Sequence, residues 1–187
     1  FLLKSVVGFY LYVLLARVWM QKSRVNYFNP LSQFVVKLTD PVVKPCRRVI
    51  PGFRGFDLAT IFLILSLQFC LLISVFAIQS PTGLSMPWLI VLLYSFGKDV
   101  LLLLNVLSFF VVIAALSTWI QSRKVSMIGS MIGLMVQPIM TMVRRFVPRI
   151  GGAVDLSPLI VLLFIQVLRI ILWYVMGVIG GGYQNFF

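Results

Sequence analysis

The side chains in this sequence best equipped for recognition are two pairs of adjacent arginines. Arg47 and Arg48 lie in "PVVKPCRRVIP", and Arg144 and Arg145 lie in "PIMTMVRRFVP", 97 positions further on. A guanidinium presents its donors in a planar fork that matches phosphate or carboxylate two-pronged, so such pairs suit anionic lipid headgroups or an acidic partner. Lys44 and Arg149 extend the same basic surface. Two other readings compete. The arginines serve as topological charge that holds a loop on one side of a membrane, or they pair with Asp57 and Asp155, which follow the two cassettes.

Catalytic chemistry has little to work with. The chain has no histidine, its four acids stand apart from one another, and its two cysteines, Cys46 and Cys70, sit far apart in unlike settings. No nucleophile, base and oxyanion set and no metal-ligand spacing is written here, so no catalytic residue, metal or cofactor is expected, and the protein reads as a non-enzyme.

The elements that must position the arginines are apolar. Across 187 residues 61% are hydrophobic and 11% charged, against about 25% charged in soluble domains, and mean hydropathy is +1.08. Four runs, at about Phe1–Met20, Leu58–Ile78, Val100–Trp119 and Leu156–Ile179, reach the ~20 residues that cross a bilayer as a helix. The first is expected to stay as a span, because it lacks a small-residue cleavage site and flows into Arg17 and Trp19. The expected fold is an all-α membrane protein of about four transmembrane helices.

The net charge of +12 does not point to nucleic acid, because the basic residues are not spread over a soluble face. Most lie in two connections, from Lys22 to Arg54 and from Arg123 to Arg149, while "QSPTGLSMP" and the tail "GVIGGGYQNFF" carry no charge. Lysine and arginine in short loops are retained inside, so both basic loops are expected in the cytoplasm and both termini in the periplasm. The apolar stretch Trp88–Gly97 either prolongs the third helix to about 48 Å or lies along the outer interface.

Sliding the chain on itself explains the doubled cassette. An offset of 97 lays Pro41 on Pro138 and both arginines on their counterparts; an offset of 98 lays Asp57 on Asp155 and Gln68 on Gln166. The unit is a span, a basic loop and a span, written once over residues 1–83 and again over 84–187. Both copies start on the same side, which makes them parallel repeats. Each loop is expected to hold two short amphipathic helices, Pro30–Leu38 and Pro41–Ile50 in the first and Met127–Val136 and Pro138–Val147 in the second. Asn29 and Asp40 would cap the first pair ahead of their prolines. Helices of this kind lie in the membrane interface or re-enter it where protein or water covers their ends.

A few polar residues remain at depth. Asp57 and Asp155 are placed to cap the second and fourth spans. Gln68 and Gln166 are expected to hydrogen-bond a neighbouring helix, with a shared conduction site as the lesser alternative. Arg169 lies ~20 Å and Asp99 ~30 Å from the cytoplasmic side by helical rise, which makes them the best intramembrane ionic pair.

"NPLSQFVVKLTDPVVKPCRRVIPGFRGFD" and "VQPIMTMVRRFVPRIGGAVDLSP", each followed by an apolar span, resemble the tandem repeats of the YggT family of bacterial inner-membrane proteins. The resemblance covers nearly the whole chain. It implies a multi-pass inner-membrane protein and links the family to osmotic or ion homeostasis, and its plastid relatives to complex or cytochrome maturation. The second copy departs at Gln137 and Thr141, where the first has Asp40 and Lys44. The expected function is a scaffold or assembly factor that meets anionic lipid and a membrane-protein partner, or a copy of itself, through the paired loops. A small oligomeric channel or transporter is the alternative.

Overall fold

The computed structural model describes residues 2–25, 28–52, 57–79, 88–119, 123–146 and 157–180. Six helices follow one another: α1 (Leu2–Lys22), α2 (Pro30–Val49), α3 (Leu58–Gln79), α4 (Trp88–Trp119), α5 (Arg123–Phe146) and α6 (Ser157–Gly180). No strand occurs among the described residues. α1, α3, α4 and α6 are long and apolar enough to cross a membrane, and the amphipathic helices α2 and α5 fill the basic connections. The chain is therefore an all-α multi-pass membrane protein built from two tandem units of span, loop helix and span.

The spans are apolar on nearly every face, and at most 33% of any span's most hydropathic window is buried inside the molecule. Helices that are greasy all round expect lipid on the faces that protein leaves open. α4 is the hub, packing against α1, α3, α5 and α6. Phe76 packs with Val91, and Leu72 with Tyr94, so numbering rises along α3 as it falls along α4 and the two run antiparallel. One core then joins both units. Leu11 and Leu14 of α1, Val43 of α2, Val111 of α4, Met135 of α5 and Val161 of α6 are each at most 1% exposed within it.

α4 settles the reading of Trp88–Gly97. The helix runs unbroken for 32 residues, about 48 Å at ~1.5 Å per residue, so the segment prolongs the span and does not lie flat. Gly97 has a packing reason to be there. A Cβ at that position would come within 2.8 Å of Met176 Sδ on α6.

Each loop holds one helix where the sequence reading expects two. α2 passes through Pro41 and Pro45, and α5 passes through Pro138. A proline inside a helix removes one backbone hydrogen bond and costs ~3 kcal/mol when nothing compensates. Here Pro41 and Pro45 both lie on the exposed face, while the opposite face is held by buried Val35, Thr39 and Val43. The cap at Asn29 forms as the sequence implies, its side chain accepting from Leu31 N at 3.0 Å. Asp40 is no cap: it sits inside α2, and its carboxylate is taken by other partners.

Candidate functional site

Arg17 is the centre of the basic end. It lies one turn before the close of α1, and its side chain is 4% exposed. Nη1 donates to Thr39 Oγ1 at 2.5 Å and to Asp40 Oδ1 at 2.8 Å, while Nε stands 3.9 Å from Asp57 Oδ2. Thr39 is positioned in turn by its own bond to Val35 O at 2.7 Å. This joins the first span to its loop helix.

Asp57 joins the loop helix to the next span. It precedes α3, and Oδ1 accepts from Thr60 N at 3.3 Å while Oδ2 accepts from Thr60 Oγ1 at 2.6 Å. That is the cap expected of an acid at a helix start, and it places negative charge at the positive end of the helix dipole. The same carboxylate takes a two-pronged contact from Arg47, through Nε at 3.2 Å and through Nη2. Lys44 Nζ lies 3.0 Å from Asp40 Oδ2 on the exposed side. Three helices thus converge on two carboxylates and two arginines.

Burial disfavours ionisation at both acids, but it is outweighed. Hydrogen bonds from Arg47 and Thr60, with the Arg47 charge, hold Asp57 below its usual value; bonds from Lys44 and Arg17, with their charges, do the same for Asp40. The pairs are ionic at neutral pH.

The arginine pairs therefore divide. Arg47 is committed to Asp57 although 39% of its side chain stays exposed, and Arg48, Arg144 and Arg145 are exposed as well. Arg149 and Asp155 lie outside the described residues. The second unit also lacks most of the network's parts. With Trp19 laid on Trp119 and Gln21 on Gln121, an offset of 100 at the end of the first span, the positions matching Arg17, Thr39, Asp40, Lys44 and Thr60 hold Ser117, Val136, Gln137, Thr141 and Pro158. Small size replaces charge there. A Cβ on Gly129 of α5 would fall 2.5 Å from Ser117 Cβ of α4, so the third span and its loop helix meet by close approach.

The halves touch at this end. Trp19 Nε1 of α1 donates to Met135 O of α5 at 2.9 Å, and Ser32 Oγ of α2 reaches Met131 Sδ of α5 at 3.9 Å, so the first unit meets α5 through both α1 and α2. Sequence reading passed over Arg17 as a flanking charge. Its signal was available: a cation inside an apolar run is costly unless partnered within the protein.

A second polar site opens at membrane depth. Gln68 of α3, Lys98 and Asn105 of α4, and Gln166 and Arg169 of α6 line one open cavity of about 430 Å³, together with Leu101, Leu102, Ile170 and Trp173. The repeat-matched glutamines thus face a common space and not merely a neighbouring helix. The expected Arg169–Asp99 pair is not made. Arg169 Nη1 donates to Gln166 Oε1 at 3.2 Å, and both Asp99 oxygens are buried without a hydrogen-bond partner among the described residues. Asp99 follows Lys98 by one residue, ~100° around the helix, and so points off the face that lines the cavity. No group of three metal-ligating side chains gathers among the described residues.

Six helices, four of them able to span a membrane, arranged in two matched units with a basic loop helix apiece, define a polytopic membrane protein of tandem-repeat build. The family model described as CCB3/YggT matches residues 1–78 and again 93–176. The chain belongs to the CCB3/YggT family. It is 35% identical to "Uncharacterized protein YggT" of Escherichia coli (strain K12), over 90% of this chain and 86% of that one. It is 31% identical to "Uncharacterized protein in proC 3'region" of Vibrio alginolyticus, over 95% of this chain and 94% of the relative. A Pseudomonas aeruginosa relative is 29% identical over 90% of this chain and 84% of its own. No solved structure matches.

Proposed function

We propose that this chain is a non-enzymatic scaffold or assembly factor of the bacterial inner membrane. Its paired loop helices meet anionic lipid and a partner membrane protein on the cytoplasmic side. The observation that carries this reading is the division of labour among the arginines. Arg47 is spent on holding the loop helix to the spans, while Arg48 and Arg145 are exposed on the two amphipathic loop helices. α5 contains no acidic residue. Juxtamembrane cations gain ~1 kcal/mol each from an anionic leaflet, and the confinement of basic loops to alternate connections supports the cytoplasmic side.

The test keeps Arg47 and changes the exposed arginines together, as Arg48→Lys, Arg144→Lys and Arg145→Lys, with a matched glutamine set. Lysine preserves charge but loses the fork. If the arginines recognise phosphate or carboxylate, the lysine set retains less phosphatidylglycerol or partner protein after purification in mild detergent. The glutamine set retains less still. Wild-type retention in both sets would reduce these residues to topological charge. A small oligomeric channel or transporter is the second reading, supported by the two repeat-matched glutamines at one cavity. Ion flux in proteoliposomes above that of empty vesicles would favour it.

A further inference from the structure

We infer that the groove formed by α3, α4 and α6 is a docking site for a transmembrane helix of another protein, one that carries a carboxylate at mid-membrane depth for Arg169. This deepens the scaffold reading, on which it rests for the existence of a partner, by placing a contact inside the membrane and away from the loop helices.

Arg169 carries the argument. It stands one residue from the midpoint of the span Ser157–Ile179, and among the described residues it belongs to no ion pair. Its hydrogen bond there runs from Nη1 to Gln166 Oε1 at 3.2 Å, which leaves Nε and Nη2 to meet an acceptor from outside. A charge at that depth is costly unless protein or water meets it, and its usual partner is an opposite charge. A carboxylate takes a guanidinium two-pronged, so it is the group this fork fits. The described acids do not supply it, whether to Arg169 itself or to that of a second copy. Asp40 and Asp57 are held in the network at the loop end, and Asp99 is 7% exposed inside the bundle.

The groove has the form of a helix seat. α3 and α6 both pack against α4 and have little contact with each other, so a furrow runs between them over α4. Gln68, Asn105 and Gln166 bring amides from all three helices to this space beside Arg169, where they can hydrogen-bond a helix lying across them. On α6 the exposed residues Leu159, Leu163, Gln166, Ile170 and Trp173 recur at intervals of four, three, four and three, the spacing at which one helix face meets another. Depth separates a helix from a lipid as occupant. A headgroup phosphate would have to leave its own surface by about half of a ~30 Å hydrocarbon core to reach Arg169, whereas a spanning helix carries side chains at that level.

The test reconstitutes the whole protein in phosphatidylcholine vesicles with a synthetic leucine–alanine helix, flanked by lysines. The helix carries glutamate or leucine at its centre and a photoreactive diazirine one turn away. Light-induced adducts are followed against peptide density. The glutamate helix should form adducts on α3 or α6 at a roughly tenfold lower density than the leucine helix, and Arg169→Leu should abolish that advantage. Equal adducts from both helices, none from either, or an advantage that survives Arg169→Leu overturns the inference. An advantage that vanishes when phosphatidylglycerol makes up about a third of the lipid gives the groove to a headgroup. One that vanishes as the chain's own density rises, with peptide in excess, gives it to a second copy. Either result overturns the partner helix. The comparison of the two peptides needs no variant, so a misfolded Arg169→Leu leaves it standing. Arg48, Arg144 and Arg145 take no part in these measurements, so their outcome is read separately from the retention experiment on the loop helices.

Discussion

Arg17 near the end of α1 and Asp57 at the head of α3 face each other across 3.9 Å, with side chains 4% and 1% exposed. Breaking a buried pair from one side costs about 3–5 kcal/mol, because the remaining charge loses its partner. Asp57→Leu strands Arg17 and Arg47 together and should approach that loss. Arg17→Met should cost less, since Asp57 keeps Arg47 and Thr60. The double variant should be less destabilised than the singles combined, by ~0.5–3 kcal/mol in detergent unfolding. Additive losses would mean that the two do not couple.

Acid should dissolve the same network. Asp40 and Asp57 are held below their ordinary value of 3.8 in the folded chain, so on acidification the unfolded chain binds their protons first. Their contribution is then full above about pH 4 and is lost as pH falls through the lower, folded values. Thermal unfolding from pH 7 down to pH 3 should show a plateau and then a drop. Asp57→Asn should be less stable on the plateau and show a shallower drop. An unchanged acid limb in that variant would remove Asp57 as its source.

Much of this architecture was legible because it rests on hydrophobic length and on repetition. The four spans, the two units and the Asp57 cap follow from runs of apolar residues and from acids placed ahead of them. The loop helices were misjudged for a local reason. Asp40–Pro41 has the grammar of a helix start, but Arg17 and Lys44 draw that carboxylate into α2, and the tertiary contacts outweigh the missing backbone bonds. Asp99 and Arg169 have compatible depths, yet depth says nothing of the direction around a helix. Gln68, Gln166 and Lys98 converge only because α4 lies between α3 and α6, and no pairwise sequence signal records that.

Gly129 offers a test of how the second unit replaces charge with close approach. An added Cβ would meet Ser117 Cβ at 2.5 Å, and a Cβ cannot swing away as the tip of a long side chain can. Gly129→Ala should therefore push α5 from α4 and cost ~1–3 kcal/mol, the range for overpacking. Adding Ser117→Gly should recover part of that loss by restoring the space. If the double variant is no more stable than Gly129→Ala alone, the crowding lies elsewhere.

Asp99 gives the opposite sign. Asp99 is 7% exposed, and neither carboxylate oxygen has a hydrogen-bond partner among the described residues. A buried polar group left unmade costs about 1–3 kcal/mol, and an apolar side chain in its place removes that cost. Asp99→Leu should thus raise stability in detergent by a comparable amount, whereas Asp99→Asn keeps unsatisfied polar atoms and should gain less. Loss of stability in Asp99→Leu would instead reveal a native partner for this carboxylate.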